Sequence, residues 1–123
     1  MKPLVLVYRK CSTCMKALHW LEENNIAFEE RPIKEQNPTY EELKAWYEMS
    51  GIPLKKFFNT SGLIYKDLGL KDKLPQMSDE EQLQLLATNG MLVKRPLVVG
   101  DDFVLTGFKE ADWQMKIKED VNP

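Results

Sequence analysis

The sequence has 123 residues, enough for one domain whose hydrophobic core needs no disulfide support. Hydrophobic residues at 43% and charged residues at 29% are typical of a globular protein. The 17 Lys and Arg residues against 19 Asp and Glu give a net charge of −2. This balance argues against a protein that binds nucleic acid directly, because such binding depends on an excess of positive charge.

The chain begins with an aliphatic stretch, "PLVLVY" at 3–8, which predicts a buried strand. This run is far shorter than the ~20 residues of a membrane span and lacks the features of a signal peptide. We therefore expect no membrane partner and a cytoplasmic location, where thiols are kept reduced. In that compartment a close cysteine pair is typical of catalysis, redox sensing or metal binding.

The next segments predict a strand–helix–strand unit. From Cys14 the apolar residues recur at i, i+3, i+4 and i+7, which indicates an amphipathic helix beginning near Ser12 and ending near Asn24. The segment "IAFEERPI" follows as a second strand. A strand–helix–strand crossover places the two strands parallel in one sheet.

The middle of the chain is predicted to be helical. Thr39 and Glu42 form a capping box at the start of one helix, and Ser78 and Glu81 form another. Gly90 is expected at the C-terminal end of the second of these helices. Short helical segments are expected between the two.

The last third predicts a hairpin and a closing helix. The stretch "RPLVVGDDFVLTG" has two short apolar runs around Gly100, which is typical of a β-hairpin, and "FKEADWQMKI" follows as a short amphipathic helix. The element order is β-α-β, a helical insert, then β-β-α. The sequence thus predicts a single α/β domain over 1–123 with a mixed sheet.

Both cysteines lie in "YRKCSTCMKA", where a strand gives way to a helix. Cys11 is expected at or just before the helix N-cap, where free N–H groups and the helix dipole favour a thiolate. Arg9, Lys10 and Lys16 add positive charge. Cys14 falls on the apolar stripe. This arrangement predicts an accessible nucleophile, Cys11, with Cys14 as a resolving thiol.

Other interpretations of the pair have less support. Zinc requires further ligands, and the chain offers only His19 besides the cysteines, so no metal site is expected. Met15 follows Cys14 where haem attachment needs histidine. Simple packing in the core is an equally good interpretation for Cys14, because free cysteines are often buried.

The step Arg95-Pro96 in "KRPLVV" is a second candidate feature. A cis bond here could present Arg95 to an anionic substrate beside the thiol. On local sequence alone we expect an ordinary trans proline entering a strand, because cis bonds are a small minority of X-Pro bonds.

Four stretches together resemble the arsenate reductase-like (ArsC) family: "CSTCMKALHWLEENNI", "FFNTSGLIYKDLGLKDKL", "GMLVKRPLVV" and "TGFKEADW". This family includes glutaredoxin-linked arsenate reductases and Spx/MgsR-type regulators, and the resemblance extends over about residues 4–115 and favours a C-x-x-C branch of small bacterial proteins. It implies a thioredoxin-like fold with a mixed four-stranded sheet and a helical insert between the second and third strands. It also implies a cis Arg95-Pro96 turn facing Cys11.

The resemblance assigns roles to single residues. Cys11 matches the catalytic cysteine of the arsenate reductases, and Arg95 matches one of their oxyanion-binding arginines. The two further arginines of those enzymes fall where this chain has Asn59 and Gly107. Each missing guanidinium removes charge-assisted bonds of about 1.5–3 kcal/mol, so we expect arsenate to be bound weakly.

The predicted function is therefore that of a thiol-dependent oxidoreductase acting on a disulfide or a small oxyanion. Its substrate-binding groups are expected at Ser12, Thr13, Arg95 and Pro96, with no bound cofactor. An external thiol would return the enzyme to its reduced form, supplied by glutathione, glutaredoxin or thioredoxin.

The alternative implied by the resemblance is a redox-sensing regulator of the Spx type. Those proteins bind the α subunit of RNA polymerase through a surface that contains a glycine. The corresponding position here is Pro53 or its neighbour, and the basic C-terminal extension of those regulators is missing from this sequence.

Overall fold

The computed structural model describes residues 2–119, in two compact units. The first unit contains the chain up to Pro32 and again from Arg95 onward, and the second is Ile33–Lys94. Both cysteines and the Arg95-Pro96 step therefore belong to the first unit.

The first unit contains a four-stranded sheet, whose strands in chain order are β1 (Leu4–Val7), β2 (Glu29–Pro32), β3 (Leu97–Val99) and β4 (Val104–Thr106). Their spatial order in the sheet is β2-β1-β3-β4. Strand β1 pairs parallel with β2 and antiparallel with β3, and β3 pairs antiparallel with β4. The sheet is therefore mixed, as the element order predicts.

Helix α1 (Ser12–Glu23) connects the two parallel strands and has the predicted apolar stripe. The chain ends its described part with α6 (Glu110–Trp113), which continues as a π-helical segment, Gln114–Glu119. Trp113 is fully buried and meets the ring of Trp20 edge-on, with 5.9 Å between the centroids. These elements enclose the core of this unit, and Cys14 is one of its members.

The second unit is helical and carries both predicted capping boxes. Every helix among residues 2–119 is too short or too polar to cross a membrane. The helices of this unit are α2 (Tyr40–Ser50), α3 (Leu63–Asp67), α4 (Leu70–Lys73) and α5 (Asp79–Leu86), with 3-10 turns at Leu54–Phe57, Leu74–Gln76 and Gly90–Leu92.

The prediction that Gly90 ends the second capped helix was wrong. That helix, α5, ends at Leu86, and Gly90 instead begins a 3-10 turn. A Cβ atom at Gly90 would lie 1.9 Å from the carbonyl oxygen of Ile33. Glycine is therefore needed at this position for the close approach of two backbone segments.

Candidate active site

Cys11 is the N-cap residue of α1, four residues after the end of β1. Its backbone is extended, with φ −93° and ψ 122°, and its side chain makes no capping hydrogen bond. Its N–H donates to the carbonyl oxygen of Tyr8 at 2.9 Å, and its own carbonyl accepts the N–H of Met15 at 3.1 Å. The thiol is thus held, half-buried, at the positive end of a 12-residue helix.

The surroundings of Cys11 favour its thiolate. Burial raises the pKa of this thiol, but the backbone N–H of Cys14, the thiol of Cys14, the N–H of Thr13 and the charge of Arg95 all lower it. The net pKa lies below the ordinary value of a cysteine. Ser12, the first residue of the helix, is exposed beside the thiol.

The surroundings of Cys14 disfavour its thiolate. Its side chain has no exposed surface, and burial is the main reason that its pKa is raised to about 12. The backbone N–H of Tyr8 points at its sulfur at 3.5 Å and opposes that rise, whereas the charge of Cys11 adds to it. At neutral pH Cys14 is therefore a protonated, inaccessible thiol next to a cysteine whose pKa is lowered.

Arg95 and Pro96 reach this site from the start of β3. The Arg95-Pro96 bond is cis, so the trans expectation from local sequence was wrong and the expectation from the resemblance is confirmed. The two isomers of an X-Pro bond differ by only about 0.5–1 kcal/mol, so tertiary contacts that no local pattern shows can decide between them. The positive charge of Arg95 lowers the pKa of both cysteines.

Tyr8 is a site residue that the sequence pattern did not indicate. The Arg95 guanidinium carbon lies 5.3 Å from the centroid of its ring, within the range of a cation–π contact. Its only sequence signal is an aromatic residue three positions before Cys11. That signal has no meaning without the position of Arg95.

Arg9 does not supply the field that the sequence suggested. Its guanidinium donates two hydrogen bonds to the carboxylate of Glu30, at 2.8 and 2.6 Å. Lys10 and Lys16, the other nearby cations, are exposed. The cation that lowers the pKa of Cys11 is instead Arg95, from a distant part of the chain.

The two positions where the resemblance implies further arginines are occupied differently. Gly107 has φ +76°, donates its N–H to the Pro96 carbonyl at 2.9 Å and accepts the indole N–H of Trp113 at 3.1 Å. Asn59 belongs to the second unit, where its N–H donates to the Leu92 carbonyl at 2.7 Å. Among residues 2–119, no three His, Cys, Asp or Glu side chains are grouped as a metal site would require.

Comparison with known proteins places this site in a family context. The ArsC family model matches residues 6–115. The chain is 56% identical over 107 residues to the protein YusI of Bacillus subtilis strain 168, covering 87% of this chain and 91% of YusI. It is 30% identical over 105 residues to the regulatory protein MgsR of the same strain (85% and 82% covered) and 30% over 112 residues to the global transcriptional regulator Spx of Enterococcus faecalis (90% and 83%).

Solved structures give the same fold. The crystal structure of an ArsC family related protein from Bacteroides fragilis is similar with a TM-score of 0.91 and 62% identity, covering 94% of this chain and 97% of that one. An arsenate reductase from Vibrio cholerae is similar with a TM-score of 0.81 and 28% identity (95% and 98% covered).

Proposed function

This chain belongs to the ArsC family, and from that premise we propose that it is a thiol-dependent oxidoreductase whose nucleophile is Cys11. The observation that carries the proposal is that the two cysteines, one at a helix N-cap and one in the core, have pKa values shifted in opposite directions. Cys11 has a lowered pKa at a helix N-terminus, and Cys14 is buried with a pKa of about 12. Cys11 is therefore the better nucleophile, and Cys14 acts later as the resolving thiol.

For a disulfide substrate the reaction has two exchange steps. The Cys11 thiolate attacks one sulfur of the substrate, the substrate S–S bond breaks, and the released thiolate takes a proton from solvent. This step consumes the Cys11 charge, which is one of the causes of the high Cys14 pKa. Cys14 can then lose its proton and attack the Cys11 sulfur, which releases the second half of the substrate and leaves a Cys11–Cys14 disulfide.

An external thiol reduces that disulfide in turn. Two molecules of glutathione, or one molecule of a dithiol glutaredoxin or thioredoxin, supply the two electrons, are themselves oxidised to a disulfide and return both cysteines to the thiol form. The N–H groups at the start of α1, including those of Ser12 and Thr13, and the charge of Arg95 would hold an anionic substrate group. Pro96, which follows Arg95, is buried. This chemistry suits the cytoplasm, where such reductants are present.

A disulfide fits this site better than arsenate does. A tetrahedral dianion needs several cations, and the position where the family would place an arginine in this unit is Gly107, which has a left-handed backbone. A disulfide needs one nucleophile and one leaving group, which the two cysteines handle between them. Arsenate turnover is therefore expected to be much slower.

The test is an NADPH-coupled assay with the glutaredoxin–glutathione and thioredoxin systems, using arsenate and a glutathione mixed disulfide as substrates. After the rate of each coupling system without this protein is subtracted, wild-type protein should consume NADPH faster with the disulfide, and Cys11→Ser should fall below about 1% of that rate because a hydroxyl is a far weaker nucleophile at neutral pH. Cys14→Ser is the matched control. It keeps the nucleophile and should accumulate the substrate half on Cys11, visible as a mass increase. Undiminished turnover in Cys11→Ser would refute the proposal.

A second function is favoured by the relatives. Two of them are named as regulators, and a Cys11–Cys14 disulfide could switch affinity for a partner such as the α subunit of RNA polymerase. Binding of purified α subunit to the oxidised and the reduced protein tests this. Binding in one redox state supports the regulator, and absence of binding in both removes it.

A further inference from the structure

Tyr8 contacts three residues of the candidate site, Cys11, Cys14 and Arg95. Its N–H points at the sulfur of Cys14 at 3.5 Å, and its carbonyl accepts the N–H of Cys11 at 2.9 Å. Its ring lies under the guanidinium of Arg95, with 5.3 Å between the guanidinium carbon and the ring centroid. One residue, directly after β1, therefore contacts the Cys14 sulfur and the Cys11 main chain through its own main chain, and the Arg95 cation through its side chain.

Only one of these contacts depends on the side chain. Any residue other than proline at position 8 would present the same N–H and carbonyl, because β1 is paired on both edges and fixes the chain just before this point. The ring is needed only for Arg95. This separation makes the role of the ring testable by substitution.

Holding an arginine in place has a physical value of its own. The Arg side chain has several rotatable bonds, and its charge favours a nearby thiolate only in conformations that bring it close. A ring beneath the guanidinium restricts those conformations through cation–π attraction and packing. Tyr8 is half-buried, which reduces competition from water for the contact.

We propose that Tyr8 is a positioning residue, whose ring holds the Arg95 guanidinium where its charge acts on Cys11. The meaning of this role for catalysis rests on the proposed function. The coupling itself is a property of the resting protein and can be measured without any substrate.

The experiment is the pH dependence of Cys11 alkylation by iodoacetamide, quantified by mass spectrometry of the peptide that holds Cys11. Tyr8→Leu should raise the midpoint by about 0.5 pH unit, because a cation–π contact of moderate strength is lost. Tyr8→Phe should restore the wild-type midpoint, since it keeps the ring. Arg95→Met should raise the midpoint by about 1 unit, because the charge itself is removed.

The decisive variant combines Tyr8→Leu with Arg95→Met. If the ring acts through the guanidinium, the double variant should have the same midpoint as Arg95→Met alone. If the two shifts add, or if Tyr8→Phe behaves like Tyr8→Leu, the ring does not act through Arg95 and the proposal is overturned.

A second measurement remains available even where Tyr8→Leu fails to fold. In NMR spectra of the wild type and of Tyr8→Phe, the Arg95 side-chain protons should be shifted upfield by the ring current, and unshifted resonances overturn the proposal. The result is also separable from that of the coupled assay. If the wild-type protein reduces no substrate but the double variant has the same alkylation midpoint as Arg95→Met, the proposed function is refuted and the role of Tyr8 is supported. If turnover depends on Cys11 but the midpoint shifts of Tyr8→Leu and Arg95→Met add, the role of Tyr8 is refuted and the proposed function is supported.

Discussion

Helices α1, α2 and α5 each begin with two functional residues three positions apart, but the pair has a different role in α1 than in α2 and α5. In α2 and α5 the N-cap hydroxyl of Thr39 or Ser78 accepts the N–H of Glu42 or Glu81, both at 3.1 Å. Each glutamate returns the contact by accepting the N-cap N–H, at 3.0 and 2.9 Å. These reciprocal bonds satisfy N–H groups that a helix leaves without partners, and so stabilise the helix.

In α1 the same two positions hold Cys11 and Cys14. The N–H of Cys11 donates to Tyr8 instead, and the side chain of Cys11 makes no capping bond. The N–H groups of Thr13 and Cys14 lower the pKa of the thiol rather than completing a box. The comparison teaches that a three-residue spacing at a helix start can stabilise either the helix or an anion, and that the residue types decide which.

The largest expected effect comes from making α1 resemble the other two helices. Cys11→Ser should reduce disulfide turnover to below about 1% while raising the free energy of unfolding by about 0.5–1 kcal/mol, because serine is a good N-cap residue. Urea unfolding measures the second effect. Cys14→Ser is the control and should lower stability, since it buries a hydroxyl. A Cys11→Ser protein less stable than wild type would contradict the expectation that serine caps α1 better than cysteine does.

The second effect concerns pH. The pKa of Cys14 is raised in the folded state from 9.0 to about 12, so its contribution to stability is fully present below pH 9 and is lost as pH rises toward 12. At about pH 11 the loss should be roughly 2 kcal/mol. The free energy of unfolding should therefore fall more steeply in wild type than in Cys14→Ala between pH 8 and 11.

Cys11 acts with the opposite sign. Its pKa is lowered on folding, so its contribution is present above the unfolded pKa and is lost as pH falls through the folded one. Equal slopes in wild type and Cys14→Ala would show that Cys14 does not hold its proton as its burial implies.

The third-largest expected effect comes from a substitution that removes one capping box. Ser78→Ala should cost about 1 kcal/mol of unfolding free energy and leave the midpoint of Cys11 alkylation unchanged, because α5 belongs to the other unit. Ser12→Ala makes the same chemical change inside the first turn of α1, where there is no capping bond to lose, and should cost less than about 0.5 kcal/mol. Equal losses in the two variants would mean that the box adds nothing.

The smallest effect tests the nearby charge. Glu30→Gln removes the carboxylate that binds Arg9, and the Cys11 alkylation midpoint should move by less than about 0.2 pH unit, because Arg9 is exposed and screened. The comparison is with Arg95→Met, for which the shift should be several times larger. A shift of equal size would show that the charges beside Cys11 in sequence affect its pKa as strongly as Arg95 does.

Much of the local structure could be predicted, because its signals lie within one turn of chain. The two capping boxes, the N-cap position of Cys11 and the buried stripe that includes Cys14 all follow from spacings of three or four residues. The parallel pairing of β1 with β2 and the antiparallel hairpin of β3 and β4 also followed from a strand–helix–strand unit and a turn signal, whereas the order of the four strands was not predicted.

The predictions that failed depend on segments far apart in sequence. The end of α5 was misplaced because Gly90 is needed where it meets the backbone at Ile33, which no spacing reveals. The role of Tyr8, and the pairing of Arg9 with Glu30, likewise need the folded positions of two segments.

Gly107 has a consequence for anyone who would redesign this site. An arginine there would have to adopt a left-handed backbone, at a cost of about 1 kcal/mol, in a turn whose N–H and carbonyl are already engaged by Pro96 and Trp113. Adding a positive charge at this position therefore costs stability in the main chain as well as requiring a new side chain.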